Sequence, residues 1–216
     1  MFGLFDPLYL LLVAPGMLLA LWAQYKVQST FRRYAAEPTA RGLSGADIAA
    51  QILRVEGVTG VRIEPAQGFL SDHYDPLSRT LRLSPDVYMG RTVAAAGVAA
   101  HEVGHAIQHA HAYVPLRVRS ALVPALKVTN TLAMPAIVIG FLLSASRIAL
   151  GVPVLYVGIG LFAVMVVFQL VTLPVEIDAS RRALKAIEAG SLVTGPESWA
   201  RGGCSRRRRS PTSRRR

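Results

Sequence analysis

The chain has 216 residues, 52% of them hydrophobic and only 17% charged, yet its formal net charge is +11. This apolar content excludes an intrinsically disordered chain, and the lone cysteine, Cys204, excludes a disulfide-stapled secreted module. Low charge with long uncharged runs points to a membrane protein, while the basic surplus raises nucleic acid or an anionic membrane surface as a partner, depending on where it sits.

Between Asp6 and Lys26 lie 19 residues without a charge, enough to cross a bilayer as helix. The segment before this run carries Asp6 and no Lys or Arg, which argues against a cleaved signal peptide. Residues 7–25 are therefore read as an uncleaved transmembrane anchor, with Pro15-Gly16 placed to kink it. Residues 26–127 have the composition of a soluble domain. Ser44 and Asp47 form a capping box that opens an amphipathic helix with Ile48, Ile52 and Leu53 on one face, and Gly57 lies just past its end. Val61 to Ile63 and Thr80 to Leu83 read as short strands, separated by the turn-rich stretch from Ser71 to Pro76. Ser84-Pro85-Asp86 signals a short helical turn. Arg91 to about Tyr113 is alanine-rich and reads as one long helix.

Two further uncharged runs follow, 19 residues between Lys127 and Arg147 and 28 between Arg147 and Glu176. They predict transmembrane helices over 128–146 and 148–175, joined by a turn near Arg147 to Pro153. A helical segment, 176–197, and an Arg-rich tail, 198–216, complete the chain. Lys26, Arg32, Arg33 and Arg41 follow the first span. Arg117, Arg119 and Lys127 precede the second, and Arg181, Arg182 and Lys185 follow the third, whereas the opposite flanks carry only Asp6 and Arg147. By the positive-inside rule the domain and the segment after Glu176 face the cytoplasm, the topology of a multi-pass protein of the cell (inner) membrane.

The sharpest chemical signal is His101-Glu102-Val103-Gly104-His105, an H-E-x-x-H motif on a predicted helix. Residues i and i+4 share a helical face, so both imidazoles can converge on one metal ion. Zinc suits two neutral nitrogens with a third ligand and a water in the open position. Glu102 would reach that water as general base, while zinc acidifies it and polarises the scissile carbonyl. For the third ligand, His111 has the spacing of the extended H-E-x-x-H-x-x-G-x-x-H motif. Gln108 stands where that motif has its glycine, so the helix is expected to continue and carry His111 away; His109 is no better placed. The competing candidate is Glu176, at the end of the third span, since two spans after His105 return the chain to the same side.

Five segments together carry a resemblance: Ala100 to Gln108, Asp72 to Pro76, Leu81 to Ser84, Arg119 to Pro124, and Leu173 to Ser180. They resemble the YugP-like neutral zinc metallopeptidases of bacterial membranes from Phe5 to about Glu197. The resemblance implies a membrane-embedded zinc peptidase with His101, His105 and Glu176 as ligands and Glu102 as base. The Glu176-x-x-Ala179-Ser180 segment is more distantly similar to Glu-x-x-Ala-Asp of HtpX and the CAAX prenyl proteases, whose glutamate is the third zinc ligand. Ser180 here replaces that aspartate, and Asp178 is the nearby acid. The expected fold is α+β: a small zincin-like domain with a long H-E-x-x-H helix, combined with three transmembrane helices.

Among other residues, His73 between Asp72 and Asp75 is a candidate second metal site or substrate contact, with a turn held by Asx hydrogen bonds the favoured reading. Tyr74, Tyr88 and Tyr113 are candidate oxyanion stabilisers. Gly158 and Gly160 suit close helix packing. Arg201 to Arg216 holds eight of the 24 basic residues and none of the 13 acidic ones, which leaves +3 for the rest of the chain. In GC-rich coding DNA a run of alanine codons read one base out of register becomes a run of arginine codons. The resemblance implies an alanine-rich fourth span at this place, so a frameshifted or truncated C-terminus is expected. The expected function is a zinc endopeptidase acting on peptide or membrane-protein substrates at the bilayer surface, with no nucleic-acid partner. Its rivals are a non-catalytic membrane scaffold that keeps a zinc ion, and a membrane-tethered nucleic-acid binder that rests on the tail.

Overall fold

The computed structural model describes residues 7–39, 41–68 and 71–190. In chain order they form α1 (Pro7–Ala35), α2 (Gly45–Val55), β1 (Arg62–Pro65), β2 (His73–Asp75), β3 (Thr80–Leu83), α3 (Pro85–Tyr88), α4 (Val93–Ala110), α5 (Val114–Ala145) and α6 (Gly151–Gly190). The class is α+β, mostly helical, with the described strands in one small sheet ordered β1-β3-β2. β1 runs parallel to β3, and β2 pairs antiparallel with it through His73–Arg82, Tyr74–Leu81 and Asp75–Thr80.

Local chemistry explains the element starts. Ser44 Oγ accepts from the Asp47 amide while the Asp47 carboxylate accepts from the Ser44 amide, so the predicted capping box opens α2. α2 then buries Ile48, Ala49, Ile52 and Leu53 on one face. Thr92 Oγ1 accepts from the Ala95 amide and opens α4. The alanines of α4 let its neighbours pack closely, and the helix is buried on most sides. The core joins Ile48 and Ile52 of α2, Leu81 and Leu83 of β3, Val103 and Ile107 of α4, and Ala183, Ala186 and Ile187 of α6. Each large aliphatic removed from water there contributes about 1.5–3 kcal/mol.

Outside that core, α1, α5 and α6 expose apolar side chains along their lengths, among them Leu18 and Trp22, Ile139 and Phe141, Val157 and Leu170. Exposed apolar side chains running along whole helices are what a membrane-facing surface carries. Among the described residues α5 and α6 are long and apolar enough to cross a membrane. They form an antiparallel hairpin whose turn holds Arg147 in the left-handed region, at φ 60°. Gly140 lies against the Leu155 backbone and Gly158 against Ile137, and a methyl group at either would overlap its neighbour, whereas Gly160 faces open space.

Several boundaries differ from expectation. The stretch from Ser71 to Pro76, read as turn, contains strand β2. Its aspartates serve backbone geometry: Asp75 accepts from the Leu77 amide and Ser78 Oγ, and Asp72 from the amide and hydroxyl of Ser84. Helix α5, which contains nearly all of the span expected at 128–146, runs from Val114 to Ala145 through Pro124 and Pro135. α6 runs through Pro174, so the segments expected at 148–175 and 176–197 share one helix up to Gly190. α1 continues past residue 25 to Ala35 and through Pro15. The long helix expected from Arg91 to Tyr113 is α4, which ends at Ala110; His111 forms its C-cap and Ala112 turns at φ 51°. The Arg-rich tail, and with it the expected frameshift and lost fourth span, lies outside the described residues.

Candidate metal centre

The site grows from the contact between α4 and α6. His101 and His105 share a face of α4, with their rings edge to face and centroids 5.0 Å apart. Between them in sequence, Gly104 lies against the backbone of Ala179, where a Cβ would overlap the Ala179 carbonyl. The glycine inside the motif therefore lets α6 come close enough for the Glu176 carboxylate to reach both imidazoles. Glu176 Oε2 is 3.0 Å from His101 Nε2 and 3.5 Å from His105 Nε2. One donor atom from each of the three residues lies within 4.8 Å of the others.

Each of these side chains has a partner behind it. His105 Nδ1 is 3.0 Å from Gln108 Oε1. Gln108, fully buried, donates its Nε2 hydrogens to the Val175 carbonyl at 2.8 Å and Asp178 Oδ2 at 2.9 Å. Its oxygen is left as acceptor, so a neutral His105 that binds a metal would keep its proton on Nδ1 and turn the Nε2 lone pair to the ion. Ser180 Oγ is 3.1 Å from His101 Nδ1, and Arg119 NH1 is 3.0 Å from Glu176 Oε1. Asp178 also accepts from Arg182 Nε at 2.6 Å.

Electrostatics fit a cation. The Glu176 hydrogen bond, opposed by burial, raises the proton affinity of His101. Glu176, just past the uncharged run, is held well below the usual carboxylate range by its hydrogen bonds to His101 and His105. Burial pushes the Glu102 carboxyl up, against the pull of both imidazoles. Glu102 Oε2 accepts from the Tyr74 amide at 3.1 Å, which ties it to the sheet edge. Two imidazole nitrogens and a carboxylate oxygen, each oriented from behind, are a donor set of the kind that holds zinc.

These groups line a cavity of about 270 Å³. Asp72, His73, Tyr74 and Pro76 form one wall, His101, Glu102 and His105 the floor, and Leu116, Arg119, Ser120, Val123 and Glu176 the side toward the long helices. The structure thus brings together His101, His105 and Glu176, with Glu102 beside them; His73 stands on the cavity wall outside that cluster, and His109 and His111 have other partners. His109 Nδ1 meets Tyr74 OH at 2.9 Å. His111 lies 3.0 Å from Arg182 NH1, separated from the cluster because α4 stops, not because it continues. His73 is exposed and bonds to the Ser71 carbonyl. Of the tyrosines, Tyr74 lines the cavity, Tyr88 packs on the core and Tyr113 lies under the Arg182 guanidinium. Sequence reasoning named Gly104, Gln108 and Arg119 without the contacts they make here, and gave Ser180 no role. The i+3 spacing of Gln108 from His105 was the one signal available.

A family model described as "Putative neutral zinc metallopeptidase" matches residues 9–201. A curated relative from Bacillus subtilis (strain 168), described as "Putative membrane protease YugP", is 40% identical over 190 residues, covering 88% of this chain and 82% of the relative. No solved structure matches.

Proposed function

The chain belongs to the neutral zinc metallopeptidase family, and on that footing we propose that it is a membrane-embedded zinc endopeptidase in which His101, His105 and Glu176 hold the metal and Glu102 is the general base. The observation that carries this reading is the approach of two Nε2 atoms to one carboxylate oxygen, Glu176 Oε2, at 3.0 and 3.5 Å. Zinc bound there would supply Lewis acidity, acidifying a water and polarising a peptide carbonyl. The protein's own groups do the rest. Gln108 and Ser180 occupy the Nδ1 atoms and so present both Nε2 lone pairs. The Tyr74 amide occupies Glu102 Oε2, which leaves Oε1 to take a proton and return it to the leaving amine. Burial, by raising the Glu102 carboxyl, brings its proton affinity toward that task.

The membrane reading rests on length. α5 has 32 residues and α6 has 40, about 48 and 60 Å of helix, against a hydrocarbon core of about 30 Å. Both project beyond the bilayer, and Arg119 and Glu176 lie on the projecting ends. With α1 as a third span and the basic flanks inside, the cavity faces the cytoplasm beside the membrane surface of a multi-pass inner-membrane protein. The substrates that fit this placement are peptides or membrane-protein segments at the surface. Detergent-solubilised protein is expected to cleave casein or a membrane-protein substrate in a chelator-sensitive manner. Glu102→Gln should keep the metal and lose cleavage. Full proteolysis by that variant would remove Glu102 as base, and a zinc-loaded wild type inert on every substrate would leave a scaffold.

A further inference from the structure

We propose that Arg119 is a positioning residue that makes Glu176 a one-oxygen ligand of the metal centre and ties α5 to it; the inference rests on the zinc reading above. The two oxygens of Glu176 face opposite partners. Oε2 meets the His101 and His105 Nε2 atoms, and Oε1 meets Arg119 NH1 at 3.0 Å. A charge-assisted hydrogen bond from the guanidinium draws Oε1 toward Arg119 and away from the imidazoles, and so favours binding through Oε2 alone. The position it would otherwise fill would then be free for water or a substrate carbonyl, which catalysis at a zinc site requires.

The placement supports this role. Leu116, Arg119, Ser120 and Val123 stand at i, i+3, i+4 and i+7, so one face of α5 lines the cavity. α5 thereby adds a charge to a centre whose ligands all come from α4 and α6. The arginine and glutamate side chains are 29% and 36% exposed, and an ion pair this open contributes little to stability. Orientation of a ligand is a different matter, since removing a partner behind a metal ligand costs about 10–100-fold in metal affinity. A cation near the metal also repels it, and that effect runs the other way. The measured sign therefore decides between them.

The test uses the full chain in detergent. Zinc affinity is measured by chelator competition for wild type, Arg119→Met and Arg119→Lys, and the visible spectrum is recorded with cobalt in place of zinc. Arg119→Met is expected to bind zinc about 10–100-fold more weakly, with a changed cobalt spectrum. Arg119→Lys, which keeps one cationic donor, should recover part of that loss. Wild-type or tighter affinity in Arg119→Met, or equal losses in both variants, would overturn the inference. Should Arg119→Met fail to fold, the wild-type cobalt spectrum decides: intense four-coordinate bands support it, and weak bands of higher coordination overturn it. A wild type that takes up no zinc removes the zinc reading itself, whereas zinc uptake indifferent to Arg119 removes only this inference.

Discussion

Gln108 shows at the residue scale how one buried side chain joins packing to chemistry. Its amide hydrogens satisfy Val175 and Asp178 on α6, and its oxygen sets the His105 tautomer. Gln108→Leu keeps the volume roughly constant but removes the acceptor behind His105 and a donor to Asp178. The expected result is zinc affinity about 10–100-fold weaker, read by chelator competition. Leaving buried polar groups unpaired should also cost about 1–3 kcal/mol in denaturant unfolding. A variant with wild-type zinc affinity would show that His105 is oriented by its rotamer alone. The H-E-x-x-H motif and Glu176 could be read as ligand candidates because residue type and spacing carry that chemistry. The roles of Gln108, Ser180 and Arg119 could not, because each depends on the register between helices distant in sequence.

At the scale of elements, the sequence signals that worked are those that act locally. The Ser44–Asp47 box names its own helix start, and the uncharged runs name the hairpin. Strand β2 escaped because its three residues sit among aspartates and a proline that also serve turns, and only pairing with β3 makes them a strand. The end of α4 escaped because no glycine marks it; Ala112 adopts a left-handed conformation that alanine rarely takes. Two predictions belong here. Gly104→Ala sets a methyl against the Ala179 backbone carbonyl, which cannot rotate away, so α4 and α6 must separate. A loss of about 1–3 kcal/mol in unfolding experiments is expected, together with reduced zinc uptake; unimpaired uptake would mean the helices tolerate a wider spacing. Ser44→Ala should cost about 1 kcal/mol at neutral pH. The hydrogen bonds from Ser44 hold Asp47 below the usual carboxylate range. A lowered carboxyl contributes stability above its unfolded pKa and loses it as pH falls through the folded one. The gap between wild type and Ser44→Ala should therefore narrow in acid, and a gap that is constant with pH would count against the box.

Over the whole molecule, the charge of +11 divides into an arginine tail and basic residues at one end of the predicted spans. On the proposed topology that distribution would place the site on the cytoplasmic side, and the basic surplus would report topology rather than a nucleic-acid partner. In a Cys204→Ser background, a cysteine at the highly exposed Leu77 should react with a membrane-impermeant thiol reagent only after cells are permeabilised. Labelling of intact cells would reverse the orientation. On this account two spans fold back so that Glu176 completes a centre begun by His105 and, 75 residues before Glu176, by His101. Zinc content of the purified full chain tests it most directly. Wild type and Glu102→Gln should each hold about one zinc per chain, and Glu176→Ala should lose it. Full zinc retention in Glu176→Ala would contradict the account.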